Sequence, residues 1–195
     1  MTEPLLSALL GLLLGSIPFG LVLTRAAGLG DIRRIGSGNI GATNVLRTGN
    51  KALALATLLL DAGKGAAAVG LAWWLLGREW APMAGLLAVI SHMHPVWLNF
   101  KGGKGVATAL GTFWAISWPI GLAACAAWLL GALVSRISSV GALAAMAVAA
   151  IAGGLLLPLP VATLLAAVCC YVVGLHKANI ERLVAGTEPR IGRGK

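Results

Sequence analysis

The stretch VATALGTFWAISWPIGLAACAAWLLGALV, Val106 to Val134, decides how this chain is built. It carries no charge, and it is interrupted only at Ser117, Trp118 and Pro119, where proline disfavours a continuing helix. Read as two short helices, 105–118 and 120–134, it forms a hairpin. Read as one tilted helix, it moves everything downstream to the other side of a membrane. Five further apolar stretches, 5–24, 52–77, 80–98, 139–157 and 160–176, approach the roughly 20 residues that a crossing takes. The expected fold is all-α: a polytopic integral membrane protein of seven transmembrane helices, N-terminus out and C-terminus in, forming a single domain over residues 1–195.

Composition agrees, with 58% apolar and 11% charged residues, a surface that a water-soluble domain has no means of hiding. The net charge of +9 invites a nucleic-acid partner until the cations are placed. With the N-terminus outside, the inner loops hold Arg25, Arg33, Arg34, Arg47, Lys51, Lys101, Lys104, Arg136, Lys177, Arg182, Arg190, Arg193 and Lys195, thirteen of the fifteen Lys and Arg residues. Arg78 falls outside beside Glu79, and Lys64 lies within a helix. This is the positive-inside pattern, so the charge reports topology and no nucleic acid is expected. Trp73, Trp74 and Trp80 bracket one outer turn and Trp114 and Trp118 the next, as indoles at headgroup level do. Glu3 and the lack of an early cation argue for a retained first helix instead of a cleaved signal. Cys125, Cys169 and Cys170 lie in apolar segments without metal-ligand spacing, and no metal or cofactor is expected.

The polar residues gather on the inner side. GSGNIGATNVLR, Gly36 to Arg47, combines glycines whose amides can converge on an anion (Gly38 and Gly41 among them) with Ser37, Asn39, Thr43 and Asn44 as neutral donors and Arg47 as a two-pronged cation. FKGGKGVAT, Phe100 to Thr108, has Lys101, Gly102, Gly103 and Lys104 running into a helix start, where the dipole favours negative charge. It is not a Walker A loop, which requires GxxxxGK[ST]. Asp61 and Lys64 stand three apart on one helical face inside an apolar segment. They serve as a structural ion pair or touch substrate, and both readings merge if they hold the first loop. His92 and His94 precede Pro95, and His176, Asn179, Arg182 and Glu188 form a third polar patch. No GxSxG elbow is present, and neither His176 with Glu181 nor His94 with Asn99 completes an HxxxxD acyltransferase motif.

GSIPFG at Gly15 to Gly20, SGNIGATNVLR at Ser37 to Arg47, DAGKG at Asp61 to Gly65, HMHPVWLNFKGGKGVAT at His92 to Thr108 and HKANIERLVAGTEPR at His176 to Arg190 together resemble the bacterial acyl-phosphate-dependent glycerol 3-phosphate acyltransferases of the PlsY type. The resemblance covers nearly the whole chain, with Trp97 and Arg190 as small departures. It implies a seven-helix bacterial inner-membrane enzyme with its active site facing the cytoplasm, moving a fatty acyl group from acyl phosphate to glycerol 3-phosphate and releasing lysophosphatidic acid and inorganic phosphate. It further implies that the three inner-side motifs form the site. Ser37, Asn44, Arg47, Lys104, His176 and Asn179 lead the carry-over, with Asn39 as a further catalytic candidate. Gly38, Gly41, Thr43, Lys101, Gly102, Gly103, Thr108, His94 and Glu188 join Asn44 and Arg47 in binding substrate.

Acyl phosphate is already activated, so positioning suffices and no acyl-enzyme is expected. Arg47 and Lys104 would neutralise phosphate, and Ser37, Asn39 or backbone amides would face the developing oxyanion. The proton acceptor is either His176 or the donor's own phosphate. Small residues at Ala66 to Val69 or Ala107 to Gly111 are candidate walls for the acyl chain, and membrane lipids are the expected surroundings. Two other classes compete: a transporter of a small phosphorylated anion, given Asp61, Lys64, Pro18 and Pro95, and an assembly protein whose glycines only pack helices. The transporter lacks a visible inverted repeat, and the assembly protein leaves Asn39, Asn44 and Asn179 without a purpose.

Overall fold

A backbone amide without a partner is costly in hydrocarbon, so a chain this apolar is driven into helices, which pair their amides within one segment. The structure, a computed structural model, describes residues 2–191, and among them there is no strand. Arg193 and Lys195, counted above with the inner cations, lie outside the described residues. The helices are α1 (Thr2–Gly15), α2 (Phe19–Ala26), α3 (Ala42–Leu46), α4 (Lys51–Leu76), α5 (Ala81–Met93), α6 (Val106–Ile116), α7 (Trp118–Ser135), α8 (Ser138–Leu156), α9 (Leu159–Gly174) and α10 (Lys177–Val184).

The Val106 to Val134 stretch is not one rod. Ser117 is extended, at φ −157° and ψ 108°, and Pro119 sits in the first turn of α7, where its missing N–H has no helical role. Five segments are long and apolar enough to cross a membrane: Thr2–Ala26, Lys51–Leu76, Ala81–Leu98, Trp118–Ser135 and Ser138–Leu156. The pair α9 and α10, bent by 55°, makes a sixth. By length alone the crossings therefore number five or six, and α6, with 11 residues, is the short one.

The chain divides into two compact units, at Ile116 and Ser117. In the first, α1 packs on α4 and α5, and α6 packs on α4 and α5. The seams are lined with alanine and glycine, so backbones approach closely, which in lipid takes the place of a hydrophobic driving force. A Cβ on Gly111 would strike the Ala62 carbonyl of α4. Ser7 Oγ donates to Trp80 O at 2.7 Å and Ser91 Oγ to Leu12 O, tying α1 to the α5 region. The first span is broken at Ser16 to Pro18, between α1 and α2, and Trp97 Nε1 donates to Ser16 Oγ at 2.8 Å. An indole at position 97 supplies this bond, which a phenylalanine has no donor to make. In the second unit α8 packs on both α7 and α9, with Gly141 against the Trp128 carbonyl.

Gly111→Ala is expected to destabilise the protein by about 1–3 kcal/mol through overpacking of the α4–α6 seam. Gly70→Ala, where an added Cβ meets nothing within 4 Å, should leave stability unchanged or slightly raised. Thermal unfolding of both variants in detergent micelles checks this.

Candidate active site

The first polar loop is built around one buried amide. Asn44, 2% exposed, accepts at Oδ1 from the Ser37 N–H at 2.9 Å and more weakly from Arg47 at 3.4 Å. The two N–H groups of its Nδ2 are shared among Ile32 O, Ile35 O and Asn39 O at 3.1, 2.9 and 2.8 Å. A buried amide so fully used fixes the shape of the loop from within. Gly36 and Gly38 take φ +56° and +71°, a left-handed conformation that glycine adopts without strain, and Gly36 lies against Asn44 Oδ1 and the Arg47 side chain. Asn39 Oδ1 accepts from the Gly41 N–H at 2.8 Å, closing an Asx turn. Beneath, Ile32, Ile40 and Val45 are buried with Leu21 and Ala54, and Leu98 packs on the same cluster. Ser37, Gly38, Thr43 and Arg47 are left exposed on the outer side.

The second polar loop is a cap on α5. The last carbonyls of a helix lack intrahelical partners, and here His92 O accepts from Gly103 N at 3.1 Å and Met93 O from Gly102 N at 3.0 Å. A side chain at Gly102 would collide with the His92 carbonyl and Pro95, and one at Gly103 with the His92 ring. The two glycines are thus required by this close seat, and their amides are taken up by α5. Asn99 and Phe100, at φ 51° and 61°, turn the chain into the loop in a conformation that strains non-glycine residues. His94 Nδ1 lies 3.1 Å from Phe100 O. Lys101 is exposed, Lys104 half-buried, and Lys104 stands two residues before the amino end of α6, whose first amides lack intrahelical acceptors. Thr108, in the first turn, is wholly buried, and its Oγ1 has no hydrogen-bond partner.

Under this loop lie Asp61 and Lys64. Lys64 Nζ is 2.8 Å from Asp61 Oδ1, 2.8 Å from His92 Nδ1 and 2.7 Å from Ile17 O in the broken first span. The pair thus links α4 to the end of α5 beneath the second loop and to the helix break, and these partners are not in the first loop. His92 is the residue that sequence reasoning passed over in favour of His94. The available signal was its place on an apolar helix of a chain with an intramembrane lysine to satisfy.

In the second unit, His176 stands at the corner between α9 and α10, with Nδ1 2.8 Å from Val172 O. A carbonyl only accepts, so Nδ1 carries the proton and the lone pair is on Nε2. Asn179 Nδ2 and Ser139 Oγ donate to Glu188 Oε1, and Arg182 Nε donates to Glu188 Oε2 at 2.6 Å. Burial pushes the Glu188 carboxyl up, but these donors, Asn179 foremost, outweigh it and hold it below the usual carboxylate range. Glu188 thereby orients Asn179 and Arg182 and fastens the segment after α10 to α8. Ser139, unmarked in the sequence reading, belongs to this cluster. The structure brings Ser37, Asn39, Thr43, Asn44 and Arg47 together in one loop, Lys101 to Lys104 in a second, and Asn179 with Glu188 in a third cluster, which His176 joins through its backbone carbonyl, accepting from the Asn179 N–H.

The sequence model of the Glycerol-3-phosphate acyltransferase family matches residues 5–186. A glycerol-3-phosphate acyltransferase of Paramagnetospirillum magneticum is 62% identical over 194 residues, covering 98% of this chain and 96% of its own length. One from Cereibacter sphaeroides is 56% identical over 189 residues, covering 97% and 90%. Among solved structures, PlsY, an integral membrane glycerol 3-phosphate acyltransferase, in its glycerol 3-phosphate form superimposes with a TM-score of 0.90 at 36% identity, covering 97% of this chain and 96% of its own. Its lysophosphatidic acid form gives 0.88 at 35% identity, covering 97% and 95%.

Asn44→Ala should loosen the first loop by about 2–4 kcal/mol, since it strands several buried partners, and limited proteolysis between residues 27 and 50 should accelerate. Because the folded-state pKa of Glu188 is lowered, its contribution is present above the ordinary carboxylate value and is lost as pH falls through the folded value. Proteolysis beyond Val184 is expected to be flat from about pH 6 to 8 and to rise below about pH 4. Glu188→Gln should be cut faster at neutral pH and show no such acid step.

Proposed function

Because the chain belongs to the glycerol-3-phosphate acyltransferase family, we propose that it transfers a fatty acyl group from acyl phosphate to glycerol 3-phosphate. The glycerol hydroxyl oxygen attacks the acyl carbonyl, the bond from that carbon to the phosphate oxygen breaks, and lysophosphatidic acid and inorganic phosphate leave, the hydroxyl proton ending on phosphate. The observation that carries this reading is a pair of polar loops, the first fixed by its internal hydrogen bonds and the second by bonds to the end of α5, offering Arg47 and Lys104 at the ends of membrane-spanning helices. Both substrates carry phosphate, so two cationic side chains on two rigid supports match the need. The leaving group is already good, and alignment of the reactants supplies much of the rate.

In this proposal Arg47 grips phosphate oxygens in its fork while Lys104, near the positive end of α6, adds a point charge. Ser37 and Thr43, exposed on the first loop, donate to substrate oxygens; Ser37 and Asn39 face the oxyanion, where one donor is typically worth about 2.7–4 kcal/mol. Gly38 and Gly41 leave room for the ligand. Asn44, Gly102, Gly103 and Glu188 act by holding the loops that present the others. Lys101, His94 and Thr108 flank the second loop. His176 and Asn179 orient the glycerol hydroxyl, and the proton is accepted either at His176 Nε2 or by the donor's own phosphate. We place the enzyme in a bacterial inner membrane with N-terminus out and C-terminus in. Seven helical passes, α6 included, then put the polar loops on the cytoplasmic side, and residues 1–195 act as one acyltransferase.

Purified protein given acyl phosphate and glycerol 3-phosphate is expected to release phosphate and form lysophosphatidic acid. Anion flux into liposomes without product would support a transporter instead. Arg47→Ala and Lys104→Ala, checked for normal insertion, should each lose at least about 100-fold in kcat/KM. His176→Ala should lower kcat by about 100-fold, and near-normal turnover would remove His176 from the site.

A further inference from the structure

Resting on the reading that the 101–105 loop holds a phosphate, we propose that Asp61, Lys64 and His92 form a buried positioning cluster that sets the seat of that loop and hence the affinity for a phosphate-bearing substrate. All three side chains are less than 5% exposed, so their influence reaches substrate through the loop they support. An ammonium group has three N–H donors and no lone pair; Lys64 donates to Ile17 O, lies 2.8 Å from His92 Nδ1, and meets Asp61 Oδ1 at 2.8 Å as an ion pair outside hydrogen-bond geometry. In the bond to the Lys64 ammonium His92 Nδ1 is the acceptor, with Asp61 Oδ1 also 3.5 Å from it, and Nε2 is the ring atom lying against Gly103.

Neutralising a charge in a span needs only one counter-ion. Lys64 instead joins three chain segments: α4, the break at Ile17, and the end of α5. Lys64 Nζ also lies 5.6 Å from the centre of the Phe19 ring on the far side of that break. His92 transmits this to the loop twice, through its carbonyl, which accepts from the Gly103 amide, and through its ring, which leaves no room for a side chain at residue 103. Buried ion pairs are weak contributors to net stability, and in some proteins their role is to fix one arrangement among several. The arrangement fixed here is the height and tilt of KGGKG on α5.

The test is the double variant Asp61→Asn/Lys64→Met, which removes both charges at similar bulk and strands neither. In folded, monodisperse protein the KM for glycerol 3-phosphate or for acyl phosphate should rise about tenfold, with kcat held within about threefold. Unchanged KM values, with or without a fall in kcat, overturn the proposal. If that variant does not fold, Gly103→Ala should raise the same KM by pressing a methyl on the ring. Adding His92→Asn, which keeps an acceptor for Lys64 and removes Nε2, should restore KM to within about threefold; no recovery overturns the proposal. Should wild-type protein make no lysophosphatidic acid, the substrate reading fails separately. The seat is then read from trypsin cleavage after Lys101 and Lys104, which must be faster in the double variant for the cluster to stand.

Discussion

The contact between Lys64 and Asp61 governs much of the first unit. An isolated charge at mid-membrane costs about 2.5–3.5 kcal/mol on insertion scales, so two charges placed three residues apart on α4 must find each other. Their mutual satisfaction would be local had Lys64 stopped there. Instead its other donors hold the carbonyl exposed at a helix break and the histidine that ends α5. The same ammonium group thereby bonds the broken first span directly and meets α5 at His92, whose carbonyl accepts from the loop that follows the strained turn at Asn99 and Phe100. The polar loop above inherits its position from a charge that water does not reach.

The other two polar clusters follow the same economy with different chemistry. Asn44 shapes the first loop with one amide, whereas Glu188 shapes the segment after α10 with one carboxylate that gathers Ser139, Asn179 and Arg182. In both, the central side chain is turned inward and the groups able to meet a ligand are turned outward or held at its edge. The result is rigidity where there is almost no extramembrane protein to provide it. Glycine assists at specific places, by left-handed backbone at Gly36 and Gly38 and by close approach at Gly102 and Gly103.

Helix positions were legible because apolarity is a bulk property. The apolar stretches match α4, α5, α6, α7, α8 and α9 to within a few residues, and Ser117 breaks the chain where Pro119 announced it. The first span was legible in extent but not in its break, since Ile17 to Phe19 are apolar whether helical or not. α10 and the single turn of α3 escaped notice because their polar residues looked like loop. At the site, residue types marked the right segments, but not which side chains build and which present. An asparagine amide serves a ligand or a backbone equally well, and only the contacts of Asn44 decide. Paired glycines suggest a phosphate cradle, yet the amides of Gly102 and Gly103 belong to the end of α5. His92 and His94 differ by two residues on an apolar segment, and the choice between them depends on where Lys64 points, a matter of packing across helices.

The shortness of α6 has a consequence for depth. Its 11 residues extend about 16 Å, roughly half the thickness of a bilayer's oily interior. Trp114, near its far end, is exposed as indoles at a lipid boundary are. With that end at the boundary, the opposite end and Lys104 beside it are submerged among the fatty tails unless the bilayer thins to meet them. In the proposed reaction a greasy donor would then arrive sideways, in the plane of the leaflet, while its small hydrophilic co-substrate would descend from the aqueous phase to join it.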